Sequence, residues 1–259
     1  MSQIRLDKFI SERTEYTRSQ IKELAGQGKI TADGGVCRKT DVKIDSETAD
    51  VCVCGERIRN DIFRYILMNK PEGYVSSTDD SDGISVLELV PPQMKAKGLF
   101  PAGRLDKDSV GALLVTNDGG LAHRILSPKN HIPKIYIVKL AESFKSKYVD
   151  LFWRGIVLGD GEQCLPARVK SIGNCENMAF VELHEGKYHQ VKRMFAAVGN
   201  HVEKLMRISV GGLVLPEKLG LGDCMELLHK DVENLFQPLD FDRFCDNFFS
   251  DFSAIPINK

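Results

Sequence analysis

The stretch that most constrains the fold is a short apolar run at residues 112–115, Ala-Leu-Leu-Val, which is followed by Thr116 and then by Asn-Asp-Gly-Gly. Such a run, closed by turn-forming residues, is typical of a buried strand. The loop before it, residues 103–111, carries Asp106 and Asp108 together with an arginine and a lysine. Because a rigid scaffold presents reactive groups on loops beside its strands, we predict a functional site in this loop. From these residues alone, an ionised carboxylate here could be a nucleophile, a base or only a salt-bridge partner.

Composition and length limit the classes of protein to which the chain can belong. It has 259 residues, of which 42% are hydrophobic and 27% are charged, as in ordinary globular proteins of one or two domains. No apolar run is long enough to cross a bilayer, and the N-terminal residues lack the apolar core of a signal peptide. The seven cysteines are scattered, without the paired spacing of a zinc site. We therefore expect a cytoplasmic protein with reduced thiols, no metal and no membrane association.

Charge is unevenly distributed along the chain. The formal net charge is −1, yet residues 223–259 hold eight acidic residues against three basic ones, so the preceding residues carry a net charge of +4. A mildly basic body is compatible with binding to nucleic-acid phosphates, for which local clusters matter more than the total. We interpret residues 232–259 as an acidic C-terminal extension that lies at the periphery of the domain before it.

Two short helices followed by small strands are predicted for residues 1–59. Leu6 and Phe9 share one helical face, and Thr17 is a typical N-cap of a second helix. The Asp-Gly-Gly sequence at residues 33–35 indicates a hairpin turn. Basic residues recur around these elements, which on charge alone indicates only a solvated surface.

The order of residues in three segments of this region, 5–10, 17–22 and 28–34, resembles the S4 RNA-binding domain. The resemblance implies that the second helix and the following hairpin present basic side chains to the phosphates of structured RNA. The residues that it assigns to RNA binding are Arg5, Arg18, Lys22 and Lys29. Contacts of this kind provide affinity and orientation rather than base identity.

Longer strands are predicted from residue 62 onwards. Strand-like patterns occur at residues 65–69, 134–140 and 179–183. A helix with a buried stripe begins near Val191, and three cations, Lys187, Lys192 and Arg193, cluster at or near its N-terminus. Positive charge is unfavourable there for the helix dipole. We therefore predict an acid or a phosphate beside these cations.

Three motifs of this second region occur together in the order found in pseudouridine synthases. They are Arg104-Leu105-Asp106, Lys134-x-Tyr136 and the run from Glu185 to Phe195. In addition, Lys70-Pro71 and Leu205 fall at the positions of the first and last motifs of this family. The chain most resembles the branch that modifies ribosomal RNA and carries an N-terminal S4 domain. The resemblance implies an α+β fold: a small S4-like domain (residues 1–59), then a catalytic domain (residues 62–231) on a mixed, mainly antiparallel sheet.

The resemblance also implies a reaction that needs neither a metal nor a cofactor. In this family the glycosidic C–N bond of a uridine is broken, the uracil turns, and its C5 is joined to C1′. Asp106 is implied to be the catalytic carboxylate, which attacks C1′ or C6 or assists a glycal route. Tyr136 is implied to stack on the base and to assist proton transfer, although an ordinary strand tyrosine would fit the same pattern. The resemblance implies that Lys192 is the ion-pair partner of Asp106, and Arg193, which lies about 100° further round the helix, cannot face Asp106 as well.

The remaining candidates are assigned to substrate and RNA binding. Arg104 is expected to fill the gap left by the flipped base, and Leu105 belongs to the same substrate-binding set. Leu205 is expected to line the pocket, with a plain core leucine as an equal alternative. Arg193 is expected to contact phosphate, and Lys187 to bind RNA.

Several alternatives remain open at this point. Asp106 and Asp108 could form the metal site of a nuclease or a glycosidase pair, and His189 could act as a general base rather than structurally. The run from Glu185 to Gly199 favours the small-subunit enzymes of the family. Large-subunit enzymes are the first alternative, and a non-catalytic RNA-binding assembly factor is the second. The expected partner is ribosomal RNA, free or in a partly assembled small subunit, bound by a monomer.

Overall fold

The computed structural model describes residues 3–248 except 80, 82, 174 and 238. Its internal contacts divide the chain into two compact units, Met1–Arg64 with Pro92–Leu99, and Tyr65–Pro91 with Phe100–Lys259. The division falls close to the predicted boundary after residue 59. It differs in one respect, because residues 92–99 belong to the first unit rather than to the catalytic region.

The described residues of the first unit form two α-helices and six short strands. They are β1 (Gln3–Arg5), α1 (Leu6–Arg13), α2 (Arg18–Gly26), β2 (Ile30–Ala32), β3 (Gly35–Val36), β4 (Lys43–Asp45), β5 (Val51–Val53) and β6 (Glu56–Ile58). Thr17 caps α2 as predicted: its side chain accepts from the Gln20 amide, and the Gln20 side chain accepts from the Thr17 amide at 2.8 Å. Strands β3, β2, β5 and β6 form one antiparallel sheet, and β1 pairs with β4. The predicted helical face of Leu6 and Phe9 is fully buried in the core of this unit.

The second unit holds the longer elements. They are β7 (Tyr65–Lys70), β8 (Phe100–Pro101), β9 (Val110–Thr116), α3 (Gly119–Leu126), β10 (Lys134–Leu140), α4 (Lys147–Trp153), β11 (Arg168–Ile172), β12 (Cys175–Leu183), α5 (Gln190–Ala197), β13 (Val202–Val210), β14 (Leu213–Val214), β15 (Cys224–Glu226), α6 (His229–Asn234) and α7 (Phe241–Asn247). Single turns of 3-10 helix occur in it at Val86–Leu89 and Pro128–Asn130, and another, Pro92–Met94, belongs to the first unit. None of the helices among the described residues is long and apolar enough to span a membrane.

One large sheet organises the second unit. Its strand order is β11-β12-β10-β13-β9-β7-β15, with β14 paired to β13 and β8 paired to β9. Among the described strand pairs of this sheet, β9 and β13 run parallel and the others antiparallel. Every residue of β9 is buried, which explains why its sequence is a continuous apolar run rather than an alternating one. The predicted α+β fold with a mixed, mainly antiparallel sheet is therefore confirmed.

The C-terminal region differs from its prediction as a peripheral extension. Phe241 and Cys245 of α7 are buried in the main core, and Phe244 and Phe248 pack against it. These four residues follow helical i, i+3, i+4, i+7 spacing. The sequence reading missed that spacing because a helix of seven residues gives barely two turns of pattern among many other aromatics. The last eleven residues of the predicted extension, 249–259, lie outside the described residues.

Candidate active site

Buried polar side chains hold the loop that precedes β9. The Ser76 hydroxyl donates to the Leu105 carbonyl and accepts from the Leu105 amide, both at 3.1 Å. The ammonium of Lys70, which is fully buried, donates to the carbonyls of Pro71 and Ser109, each at 2.9 Å. Because these bonds fix backbone atoms on both sides of Asp106, they set the position from which its carboxylate is presented.

Arg207 of β13 fixes the same loop from the other side. Its Nε donates to the Ala112 carbonyl at 2.7 Å, and its Nη1 lies 3.4 Å from the Arg104 carbonyl. The two strands approach closely here because Gly111, at φ +107°, has no side chain: an added Cβ would lie 2.2 Å from the Arg207 carbonyl oxygen. Sequence reasoning missed both Ser76 and Arg207, since neither belongs to a local pattern.

Asp106 lies between two groups that can carry positive charge. Its Oδ2 is 3.4 Å from the Lys192 ammonium, and its Oδ1 is 3.5 Å from Nε2 of His189. Lys192 binds Asp108 more closely, with Nζ at 2.6 and 2.8 Å from its two carboxylate oxygens. The Asp106 side chain is 25% exposed and that of Asp108 is 69% exposed. Lys192 therefore bridges two carboxylates, of which Asp106 is the more enclosed.

The bridge shifts the pKa values of Asp108 and Lys192. Burial alone would raise the pKa of Asp108, but the hydrogen bond and the charge of Lys192 outweigh burial and lower that pKa. Burial would likewise lower the pKa of Lys192, yet the Asp108 hydrogen bond and the charges of Asp106 and Asp108 raise it overall. The contact thus favours the ammonium form of Lys192 and the ionised form of Asp108.

A shallow groove of about 390 Å³ opens over this cluster. It is lined by Glu72, Gly73, Asp106, Lys107, Asp108 and His189. A second groove of about 730 Å³, between α4, β11 and α7, is larger but contains none of the predicted site residues. Geometry and charge therefore favour the smaller groove as the reactive one.

The other two cations near α5 also have acidic partners. Lys187 pairs with Glu162 at 2.8 Å. Arg193 pairs with Asp160 at 2.5 Å and with Glu162 at 3.4 Å. The predicted anionic neighbours of the helix N-terminus are thus acids of the chain itself. We call Asp160 and Glu162 the acidic hairpin, because they lie in the turn closed by the Val157–Gln163 bridge.

Six predicted substrate-binding or catalytic residues lie outside the described lining of the groove: Lys192 and Arg193, whose ion pairs are given above, and four others. Leu105 and Leu205 are buried. Tyr136 is 8% exposed and lies opposite Arg207 in the β10–β13 register. Arg104 is exposed, and its carbonyl faces Arg207. The structure thus brings Asp106 together with Lys192, whereas Tyr136 and Leu205 remain in the sheet.

Comparison with known proteins shows the family to which this chain belongs. The model of the RNA pseudouridylate synthase family matches residues 64–197. A ribosomal small subunit pseudouridine synthase A of Vibrio cholerae is 39% identical over 235 residues, which are 90% of this chain and 100% of that one. An uncharacterized RNA pseudouridine synthase of Bacillus subtilis is 38% identical over 91% of this chain and 99% of its own. A crystal structure of a pseudouridylate synthase aligns with a TM-score of 0.63 and 36% identity, over 90% of this chain and 99% of that one.

The chain belongs to the RNA pseudouridylate synthase family. It is a pseudouridine synthase, an isomerase that converts uridine in RNA to its C-glycoside. The predicted enzyme class is therefore confirmed.

The buried lysine gives a test of how the loop is held. Lys70→Met is expected to slow isomerisation by about 10- to 100-fold, because a shift of roughly an ångström in a reacting group is enough for a loss of that size. The loss should appear in kcat, measured by release of tritium from C5 of labelled uridine. Unchanged kcat would mean that the other bonds of the loop suffice to position Asp106.

The same variant should change the pH dependence of stability. Burial lowers the pKa of Lys70 from 10.5 to about 8, although the charges of Asp108 and Asp106 oppose this shift. The unfolded chain therefore binds more protons between those pH values, so stability should rise with pH across that window. From about pH 7.5 to about pH 9.5, the unfolding free energy of the wild type should gain roughly 1–2 kcal/mol relative to Lys70→Met. Lys107→Met, which removes an exposed lysine of the same loop, is the control and should follow the wild type.

Proposed function

We propose that this chain isomerises a specific uridine of small-subunit ribosomal RNA to pseudouridine, with Asp106 as the catalytic carboxylate. The substrate is supported by relatives named ribosomal small subunit pseudouridine synthase A, which match 90% of this chain and the full length of their own. The catalytic assignment depends on one observation: Asp106 is a partly exposed carboxylate in an open groove, between Lys192 and His189.

The reaction leaves the composition of the nucleotide unchanged. The N1–C1′ bond breaks, the uracil turns, and a C5–C1′ bond forms, while C5 loses its proton and N1 gains one. Asp106 takes part in its ionised form, by attack on C1′ or C6 or by assisting a glycal route. The Lys192 ammonium lies 3.4 Å from this carboxylate and is its ion-pair partner.

The target uridine has to leave its stack before it can reach the groove, at a cost of roughly a few kcal/mol. Arg104, which is exposed two residues before Asp106, is assigned to fill the gap that the base leaves. Leu105, Tyr136 and Leu205 are assigned to the wall against which the uracil packs, and Tyr136 also to proton transfer. Since all three are buried in the unbound structure, the groove has to widen beside Asp106 when the base enters.

Lys187 and Arg193 are assigned to phosphates of the bound RNA. In the unbound chain the acidic hairpin holds both cations. A phosphate therefore replaces a carboxylate when RNA binds, and the cations keep an anionic partner throughout. This exchange fits the unfavourable position of positive charge at the start of α5.

The first unit is assigned to RNA binding as an S4-like module. Arg18, Lys22 and Lys29 are exposed on it. Arg5 is also exposed, and Asp7 orients its guanidinium through hydrogen bonds of 2.7 and 3.1 Å. We assign the enzyme to the cytoplasm as a monomer that acts on ribosomal RNA, free or in a partly assembled small subunit.

Two other functions fit the cluster less well. A nuclease that uses Asp106 and Asp108 would hold a metal ion between them, but the Lys192 ammonium takes that position. The described residues contain no group of three or more His, Cys, Asp or Glu side chains arranged to hold a metal. A non-catalytic assembly factor would not need a partly exposed carboxylate in a groove.

Mapping of pseudouridine in both ribosomal RNAs tests the proposal. A strain that lacks this protein is expected to lose one pseudouridine from the small-subunit RNA, and purified protein should restore it on that RNA. The purified protein should also release tritium from C5-labelled small-subunit transcripts. Loss of a site in the large-subunit RNA instead would correct the substrate, and loss of none would refute the assignment to ribosomal RNA.

A further inference from the structure

Tyr188 and His189 form an aromatic pair beside the catalytic groove. Their ring centroids are 3.8 Å apart and their planes differ by 18°, so the rings are stacked. His189 lines the groove, and its Nε2 is 3.5 Å from Asp106. The phenol ring of Tyr188 therefore stacks directly on the imidazole that contacts the Asp106 carboxylate.

The outer face of the pair is open to solvent. Tyr188 is 73% exposed, the highest value among the large hydrophobic side chains that the structure describes. One face of its ring is covered by the imidazole, which leaves the other face free for a flat partner. An aromatic ring left so open beside a reactive groove is unusual, because aromatic side chains gain most from burial.

The backbone holds this pair in a fixed arrangement. His189 adopts the left-handed conformation, with φ 49° and ψ 34°, directly before α5. Such a conformation is uncommon for residues other than glycine and persists only where neighbouring contacts enforce it. Gln190 supplies two of these contacts: its side chain accepts from the Lys187 amide at 2.9 Å and donates to Glu185 at 2.6 Å. The aromatic face is thus preorganised before any RNA binds.

We propose that the outer face of Tyr188 is a stacking site for an unpaired nucleobase of the RNA next to the target uridine. This inference rests on the proposed function, because it takes RNA to be the substrate at Asp106. Proteins that bind unpaired RNA stack its bases on aromatic side chains, and such stacking tolerates any base because every base has a flat face.

The charges around Tyr188 favour a nucleotide over an apolar protein segment. Lys187 precedes it in the chain, and the Arg193 guanidinium donates to the Tyr188 carbonyl at 3.1 Å. A base stacked on the phenol would therefore bring its own phosphate close to two cations, where the phosphate would displace their partners in the acidic hairpin. When the target base is flipped out, its neighbour also loses a stacking partner, and Tyr188 supplies a replacement.

Two substitutions at this position separate stacking from other roles. Tyr188→Ala should raise KM for the RNA substrate about 5- to 150-fold, the range found when a stacking aromatic is removed. Its kcat should stay within about twofold of the wild type, because no reacting atom is touched. Tyr188→Phe keeps the ring and should behave like the wild type. Trp153→Ala, which removes another exposed aromatic outside the lining of the Asp106 groove, is the matched control and should have no effect.

A fluorescence measurement reports the stack without requiring turnover. Trp153 is the single tryptophan of the chain, so Tyr188→Trp in a Trp153→Phe background places the only indole at the proposed site. Addition of small-subunit ribosomal RNA should quench its emission through base stacking, whereas the same RNA should leave the Trp153 emission of the wild type unchanged.

The outcomes separate this inference from the proposed function. An unchanged KM in Tyr188→Ala, an equal loss in Tyr188→Phe, or no quenching of the new indole would each refute the stacking site. If RNA quenches the emission of the new indole but the wild-type protein releases no tritium, the proposed function is refuted and the stacking site is retained. A lowered melting temperature of Tyr188→Ala, with KM unchanged, would assign the ring a structural role and overturn the inference.

Discussion

Asp106→Asn is expected to abolish isomerisation while RNA binding remains at the wild-type level. Asparagine has nearly the same shape, but it cannot supply the negative charge that the proposed role of Asp106 requires. The loss of kcat should be on the order of 10⁴-fold or more, as for other enzymes that lose their nucleophile. The fold should survive, because Lys192 keeps its shorter bonds to Asp108. Tritium release under single-turnover conditions and filter binding of the same RNA give the two readouts.

Asp108→Asn is the matched control for this substitution. It removes the more exposed carboxylate of the same cluster and leaves Lys192 free to move fully to Asp106. We expect its kcat to fall by no more than about tenfold, the effect of a lost surface ion pair rather than of a lost reacting group. Equal inactivation of both variants, together with inhibition by chelators, would favour the metal-dependent alternative. Substantial activity in Asp106→Asn would refute the assignment of the catalytic carboxylate.

Gly111→Ala is expected to destabilise the second unit by about 3–5 kcal/mol, from strain at a positive φ and from overpacking together. The new Cβ would lie 2.2 Å from the Arg207 carbonyl oxygen, and 2.9 Å from its amide nitrogen. Neither atom can move away easily, because β9 and β13 are both interior strands of the sheet. Urea unfolding of the variant gives the change in free energy.

Gly222→Ala separates the two causes of this loss. Gly222 has a similar positive φ of +88°, but an added Cβ would have no atom within 4 Å. It should therefore show the backbone strain alone, about 1–2 kcal/mol. If the two variants were equally destabilised, the close approach of β9 and β13 would not be the reason for glycine at 111. A reduced kcat of Gly111→Ala, measured at urea concentrations too low to unfold it, would further indicate that Arg207 positions the loop.

Local patterns in the sequence predicted the elements that carry the site. The continuous apolar run gave β9, and the helical spacing from Val191 gave α5. The angular separation of Lys192 and Arg193 correctly predicted that they face different partners, Asp106 and Asp108 for the first and the acidic hairpin for the second. Periodicity works here because both residues lie on one rigid helix.

Contacts between distant segments could not be predicted in this way. Ser76 reaches Leu105 across 29 positions of the chain, and Arg207 reaches Ala112 across 95. A serine or an arginine in a strand-rich sequence carries no sign of which backbone atoms it will bind. The closer contact of Lys192 with Asp108 than with Asp106 likewise could not be predicted from the sequence, because it depends on the conformation of the folded loop.

The acidic hairpin has a consequence for how the enzyme selects among RNA molecules. Because Asp160 and Glu162 already neutralise Lys187 and Arg193, arbitrary RNA gains little net charge attraction by arriving there. Fewer small ions are then released on association than a count of nearby cations would indicate. On the proposed assignment of Lys187 and Arg193 to RNA phosphates, non-specific attraction of RNA is weak at this point, and an RNA is retained only when its phosphates can displace both acids at once.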